Sequence, residues 1–139
     1  MGTNHIEPMM RATKEWNTFG HGPWQWYLSN ASIYPLFVEG AQRAKPYEGV
    51  MTMGMSGSGD TAMSARIGTD MLENIVQMQR QILVDVYGNA TVLQMWCLYR
   101  EVQSYYEAGM RVLDDITLLW TEDSRRNIRR PPTPSETND

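Results

Sequence analysis

Apolar or small residues recur at alternating spacings of three and four through the second half of the chain, at Val92, Met95, Tyr99, Val102, Tyr106, Gly109, Leu113, Ile116 and Trp120. That period places them on one face of a helix. A second set, Leu98, Tyr105, Val112 and Leu119, repeats every seven residues beside the first and makes the face wider than the seam of a two-stranded coil. The pattern predicts a helix from about Ala90 to Glu122, roughly 50 Å long at the standard rise. Upstream, Met71, Ile75, Met78, Ile82 and Val86, flanked by Leu72, Val76 and Leu83, predict an amphipathic helix reaching Tyr87, with Asp70 and Glu73 as a capping-box start. Gly88 reads as a left-handed cap and Asn89 as the next N-cap. Stepped back by sevens from Val92 and Met95, the stripe would bring Asp85, Gly88, Gln81 and Asn74 into core positions, which favours a break at Gly88-Asn89 over one bent helix.

The remainder follows no such period. Residues 1–53 carry Pro8, Pro23, Pro35 and Pro46, spaced so that no helix longer than two or three turns is expected, although short ones fit Arg11 to Thr18 and Ala31 to Ala44. The stretch is too aromatic for a disordered tail and reads as an extended, irregular arm whose rings need a receiving surface. The run from Gly54 to Gly59 reads by composition as a hinge, occupying residues 54–61 with Asp60 or Thr61 capping the helix that follows. Residues 62–123 form the helical hairpin and 124–139 a basic, then proline-rich, extended tail. The expected fold class is therefore mainly α: a long two-helix hairpin, or bent helix, between an aromatic N-terminal arm and a short extended C-terminal tail.

Composition adds limits. The 139 residues make one domain, with charged residues at 20%, 11 Met and 5 Trp, more apolar surface than a freely soluble monomer carries. A net charge of −4 argues against general binding to nucleic acid or anionic membranes. The single Cys97 excludes an internal disulfide and a paired-cysteine metal site. His5 and His21 share no ligand spacing with carboxylates, so no metal is expected, and no cofactor either. Glycines 54 and 59 with Thr61 match a phosphate loop, but Asp60 stands where its lysine belongs and no parallel βαβ repeat is expected after it. Glu101, Glu107, Asp114 and Asp115 read as the solvated side of the long helix, without a nucleophile or polar pocket to make them an acid and base. They also interrupt the most apolar region, so no membrane span is expected. The first residues lack the apolar core of a signal peptide, so the sequons at Asn30 and Asn89 read as coincidental; the expected location is an assembled particle or the cytoplasm.

The residues left to carry a role are surfaces for contact. Trp16, Trp24, Trp26 and Tyr27 in the arm, and Tyr99, Tyr106, Leu113 and Trp120 on the stripe, are candidate assembly contacts. Arg125, Arg126, Arg129 and Arg130 form a basic patch. The first two suit a helix C-terminus; the others suit an acidic surface. The function expected on these grounds is non-enzymatic: a structural subunit of a large assembly, such as a virion or phage particle, with other copies of itself and neighbouring assembly proteins as partners. The alternative is a small helical adaptor or regulator whose arginine tail touches nucleic acid or an acidic partner.

Overall fold

The structure is a computed structural model that describes residues 7–19, 22–57, 69–88, 91–99, 101–122, 125, 127–128 and 130–137. After a 3-10 turn at Pro8–Met10 come helices α1 (Thr13–Phe19) and α2 (Trp26–Ala44), strand β1 (Val50–Thr52), helix α3 (Thr69–Tyr87), strand β2 (Leu93–Leu98), helix α4 (Glu101–Glu107) and strand β3 (Ile116–Trp120). The strands form one sheet in the order β1-β2-β3, parallel at both pairings. This is an α/β unit, so the expected mainly-α hairpin is wrong, and the expected extended, irregular arm holds α1, α2 and β1.

The reason lies in two apolar runs, Leu93–Leu98 and Ile116–Trp120. Both are almost wholly apolar even though Thr117 and Leu119 of β3 are exposed on one face, and such a run also satisfies three-and-four spacing. Gly109 adopts φ +110° and stops α4 after two turns, so the stripe is cut before β3 begins. The expectation that no parallel βαβ repeat follows the glycine-rich run is corrected with it.

The first predicted helix is present as α3, which buries Leu72, Ile75, Val76, Gln79, Ile82 and Leu83. Gly88 takes the left-handed conformation at its end, φ +64°, but the chain then enters a strand rather than a second helix. The cap assigned to Asn89 and those assigned to Asp60 and Thr61 lie outside the described residues. In the arm, α2 is longer than the prolines suggested. Its first turn is set off by a kink at Ser29, and Pro35 lies on an exposed side, where the Ala31 carbonyl that it leaves unpaired is open to water.

Register assigns the sheet faces. Gln94 and Ile116, Trp96 and Leu118, and Leu98 and Trp120 are paired on one face; Met95 and Thr117, and Cys97 and Leu119, on the other. Tyr106 of α4 meets Trp120 edge-on, 5.7 Å between centroids, and Arg80 of α3 reaches Gln94 at 3.2 Å. Both crossover helices therefore lie on the same face, as right-handed connections require when each strand is added on the same side. The opposite face leaves Leu93 and Leu119 exposed.

The aromatic arm folds onto this body. Trp16 and Trp24 meet edge-on at 5.4 Å, Trp24 meets Phe37 at 6.2 Å, and Trp26 stacks on Phe37 with planes 9° apart. Trp16 and Trp24 are both buried within the chain's own core. The turn at Pro8–Met10 is seated just as closely: Met9 and Met10 have positive φ, and a side chain on Gly40 would place its Cβ 2.1 Å from the Met9 carbonyl oxygen.

The tail is stapled back as well. The Arg130 guanidinium lies 4.3 Å over the Trp120 ring, pairs with Glu136 through two bonds of 2.8 and 3.0 Å, and approaches Glu107 at 3.6 Å. Glu136 also accepts the Thr133 backbone N–H at 2.7 Å and the Thr133 hydroxyl at 2.9 Å, which closes the turn that Pro134 begins. Hydrogen bonding to Arg130 first, then to Thr133, holds the Glu136 carboxyl down at about 2.

Two predictions follow from these contacts. Gly40→Ala forces a backbone carbonyl aside, and overpacking outweighs the gain in helix propensity, so urea unfolding should show a loss of about 1 to 3 kcal/mol. Equal stability would mean that the Pro8–Met10 turn is free to shift. Because the Glu136 carboxyl is depressed in the folded chain, its contribution is complete above the unfolded carboxyl range, roughly 4.3, and is lost as pH falls through about 2. Carboxyl NMR should therefore find the Glu136 midpoint well below those of the other glutamates; an ordinary midpoint would show that the tail does not dock on Arg130.

Candidate functional site

In parallel α/β sheets the carboxyl ends of the strands are where ligands bind, because the loops that leave there converge on one edge. The described residues at that edge are Met53–Gly57 after β1, Tyr99 and Glu101 after β2, and Thr121 and Glu122 after β3.

The β1 segment is built from inside. Met53 continues the ladder by donating its N–H to the Met95 carbonyl at 2.8 Å. Gly54 then turns with φ +83°, and its missing side chain admits the Trp96 indole, whose Nε1 would stand 2.5 Å from a Cβ there. The fully buried Gln79 amide takes both backbone groups of Gly54: the Gly54 N–H donates to Oε1 and Nε2 donates to the Gly54 carbonyl, each at 2.7 Å. Two residues on, the Ser56 carbonyl accepts the Trp24 indole N–H at 3.0 Å. Gly54 and Gly57, assigned by composition to a hinge, are thus buried in packed structure. The Ser56 Oγ is buried without a hydrogen-bond partner, beside a cavity of about 30 Å³ lined by Met53, Met55, Trp96, Cys97, Tyr99 and Val102.

The ends of β2 and β3 leave side by side. Leu98 pairs with Trp120, and the Thr121 hydroxyl donates to the Leu98 carbonyl at 3.1 Å. Glu101 therefore opens α4 three residues beyond one strand end and Glu122 follows two residues beyond the next. The chain then turns back, with an antiparallel bridge between Glu122 and Ile128 and the exposed Arg125 in the turn between them. The arrangement offers carboxylates and an arginine along one rim, the equipment for general acid and base work on an anionic substrate.

The sequence-derived candidates are dispersed by comparison. Trp16, Trp24 and Trp26 pack within the chain, Tyr27 is half-buried on α2, and Leu113 is exposed in the loop before β3. Tyr106 and Trp120 pack on each other under Arg130, and only Tyr99 stands at the strand-end edge. Arg125 is in the turn beyond β3, Arg130 is held by the tail, and Arg126 and Arg129 lie outside the described residues, as do His5 and His21. Of the four carboxylates weighed as an acid and base, Glu101 alone is at the edge. Asp115 pairs with Arg80 at 2.8 Å at the opposite end of β3, Glu107 faces Arg130, and Asp114 precedes Asp115 in the same turn.

Gln79 and Glu122 were missed. Gln79 does leave a signal: it is the single polar residue at a core position among Leu72, Ile75, Val76, Ile82 and Leu83. Glu122 becomes visible only once Ile116–Trp120 is read as a strand. Among the described residues no helix is long and apolar enough to cross a membrane.

The chain matches the sequence model of glycosyl hydrolase family 115 over residues 1–139. It is also similar to a solved family 115 4-O-methyl-alpha-glucuronidase with specificity for decorated arabinogalactans, at a TM-score of 0.86 and 28% identity. That likeness covers 98% of this chain and 19% of the solved one, so the chain spans only a small part of its relative's length. No curated protein sequence matches. These findings overturn the expectation of a non-enzymatic virion or phage subunit, and with it the adaptor alternative. The chain belongs to glycosyl hydrolase family 115.

Proposed function

We propose that this chain supplies part of the active site of a glycoside hydrolase that removes α-linked 4-O-methylglucuronic acid from a decorated polysaccharide. The observation that carries the reading is the pair of carboxylates, Glu101 and Glu122, set by adjacent parallel strands at the carboxyl edge of the sheet. Hydrolysis of a glycosidic bond by most families needs two carboxyl groups, one to protonate the leaving oxygen and one to assist water or to attack the anomeric carbon. The bond from the anomeric carbon to the leaving oxygen breaks, the acid's proton goes to that oxygen, and water supplies hydroxyl to carbon and a proton to the base.

The substrate class comes from the solved relative, whose name assigns it a 4-O-methylglucuronic acid bond. A uronic acid carries a carboxylate, and Arg125, in the turn that follows Glu122, is the described cation placed to meet it. Tyr99, half-buried at the end of β2, offers a ring and a hydroxyl to the sugar at the same rim.

In the full-length protein, Glu101→Gln and Glu122→Gln should each lower kcat for release of 4-O-methylglucuronic acid from decorated arabinogalactan by roughly 10²- to 10⁴-fold, with unfolding midpoints unchanged. Arg125→Met should raise KM more than it lowers kcat. Folded variants of both glutamates that keep kcat within a few-fold of the parent would remove these residues from the reaction. A parent protein that releases no uronic acid would end the reading itself.

A further inference from the structure

We propose that Gln79 and Trp24 are positioning residues for the active site: together they fix the segment Gly54–Gly57 as a rigid wall beside the end of β2, the strand that leads to Glu101. This rests on reading the strand ends as the catalytic edge. The geometry is specific. Gln79 is 0% exposed, and its one amide group meets both the N–H and the carbonyl of the same glycine at 2.7 Å. A primary amide in an apolar core is costly unless every hydrogen bond is made, and here the partners belong to the loop rather than to a helix or strand. The amide acts as a short substitute for a neighbouring strand, extending order beyond the last ladder residue of β1. Trp24 holds the other end through Ser56, and it is itself wedged between Trp16 and Phe37. The loop is thus anchored from α3 on one side and from the N-terminal arm on the other, while Trp96 fills the space that a side chain on Gly54 would take.

A largely buried segment held this way is in place before substrate arrives, so no ordering has to accompany the reaction. Loss of one anchor lets the segment shift by a fraction of an ångström to an ångström, a displacement that reduces turnover without abolishing the fold. Gln79 touches no substrate and acts through the loop.

Two substitutions in the full-length protein separate positioning from stability. Gln79→Met keeps the length of the side chain but neither hydrogen bond. Gln79→Glu preserves both bonds only while its carboxyl is protonated, since a carboxylate accepts but cannot donate. Assayed where each variant is fully folded by circular dichroism, Gln79→Met should lose roughly 10- to 100-fold in kcat with KM within threefold of the parent. The loss in Gln79→Glu should deepen as pH rises, along a limb that the parent lacks. Trp24→Phe, which keeps an aromatic ring and removes one donor, should lose severalfold in kcat, and it decides the matter if Gln79→Met does not fold. Folded variants with the parent's kcat at every pH overturn the proposal. Should the parent show no glycosidase activity, the reading of the edge as catalytic fails, and hydrogen exchange in Gln79→Met judges the clamp alone. Faster exchange confined to residues 54–57 upholds it; exchange raised evenly through β2 and β3 shows a merely structural role and overturns it.

Discussion

The bidentate contact between Gln79 and Gly54 sets the geometry on which the rest of this chain depends. It joins the middle of α3 to the residue where β1 leaves the sheet, so it determines how far the helix sits along the strand as well as how close. The Trp96 indole packs against the same glycine and carries the constraint across to β2. Trp24 brings the arm to the same segment through Ser56. Three parts of the chain that are remote in sequence converge on five residues. Fixing them costs backbone entropy of about 1 to 2 kcal/mol per residue, which buried indoles and two short hydrogen bonds offset.

How much of this could be read in advance depends on which period a segment obeys. Helix α3 has one polar and one apolar side, and its extent and its glycine cap at position 88 follow from the pattern of Met71 to Val86. Strands β2 and β3 have no such asymmetry. Gln94 to Leu98 and Ile116 to Trp120 are almost wholly apolar, with leucine at the exposed position 119 as well as at buried ones, so polar alternation is weak and a helical period fits them equally well. Strand length was the available discriminator: runs of six and five residues ended by Glu101 and by Glu122 suit strands better than one helix of more than thirty residues.

The proposed site was hidden by the same error. On a long helix, Glu101 is one acidic residue on a solvated side, and Glu122 is only its end. On a sheet, the two leave adjacent parallel strands at the same edge, tied by the Thr121 hydroxyl to the Leu98 carbonyl. That two acidic residues leave adjacent strands at one edge is invisible until the pairing register is known, because neither residue has a motif around it. The arm shows the converse. Its aromatic content correctly demanded a receiving surface, but sequence could not say whose, and Trp16, Trp24 and Trp26 find it in Phe37 and the chain's own core.

The sheet also separates what holds it together from what it presents. At its amino edge Arg80 holds Asp115 by paired guanidinium bonds of 2.8 Å and reaches Gln94 at 3.2 Å, and Lys45 and Tyr87 tie α2 to the end of α3 through backbone carbonyls. Arg80 and Asp115 are spent on one another there. At the carboxyl edge the segment after β1 and the end of β2 are held by neutral groups, the Gln79 amide, the Trp24 indole and the Thr121 hydroxyl, acting on backbone atoms. Neutral donors can fix a loop without adding a charge that would shift the ionisation of a nearby carboxylate. The two edges are thus ordered by different chemistry, an ion pair with its amide neighbour at one and neutral donors acting on backbone atoms at the other.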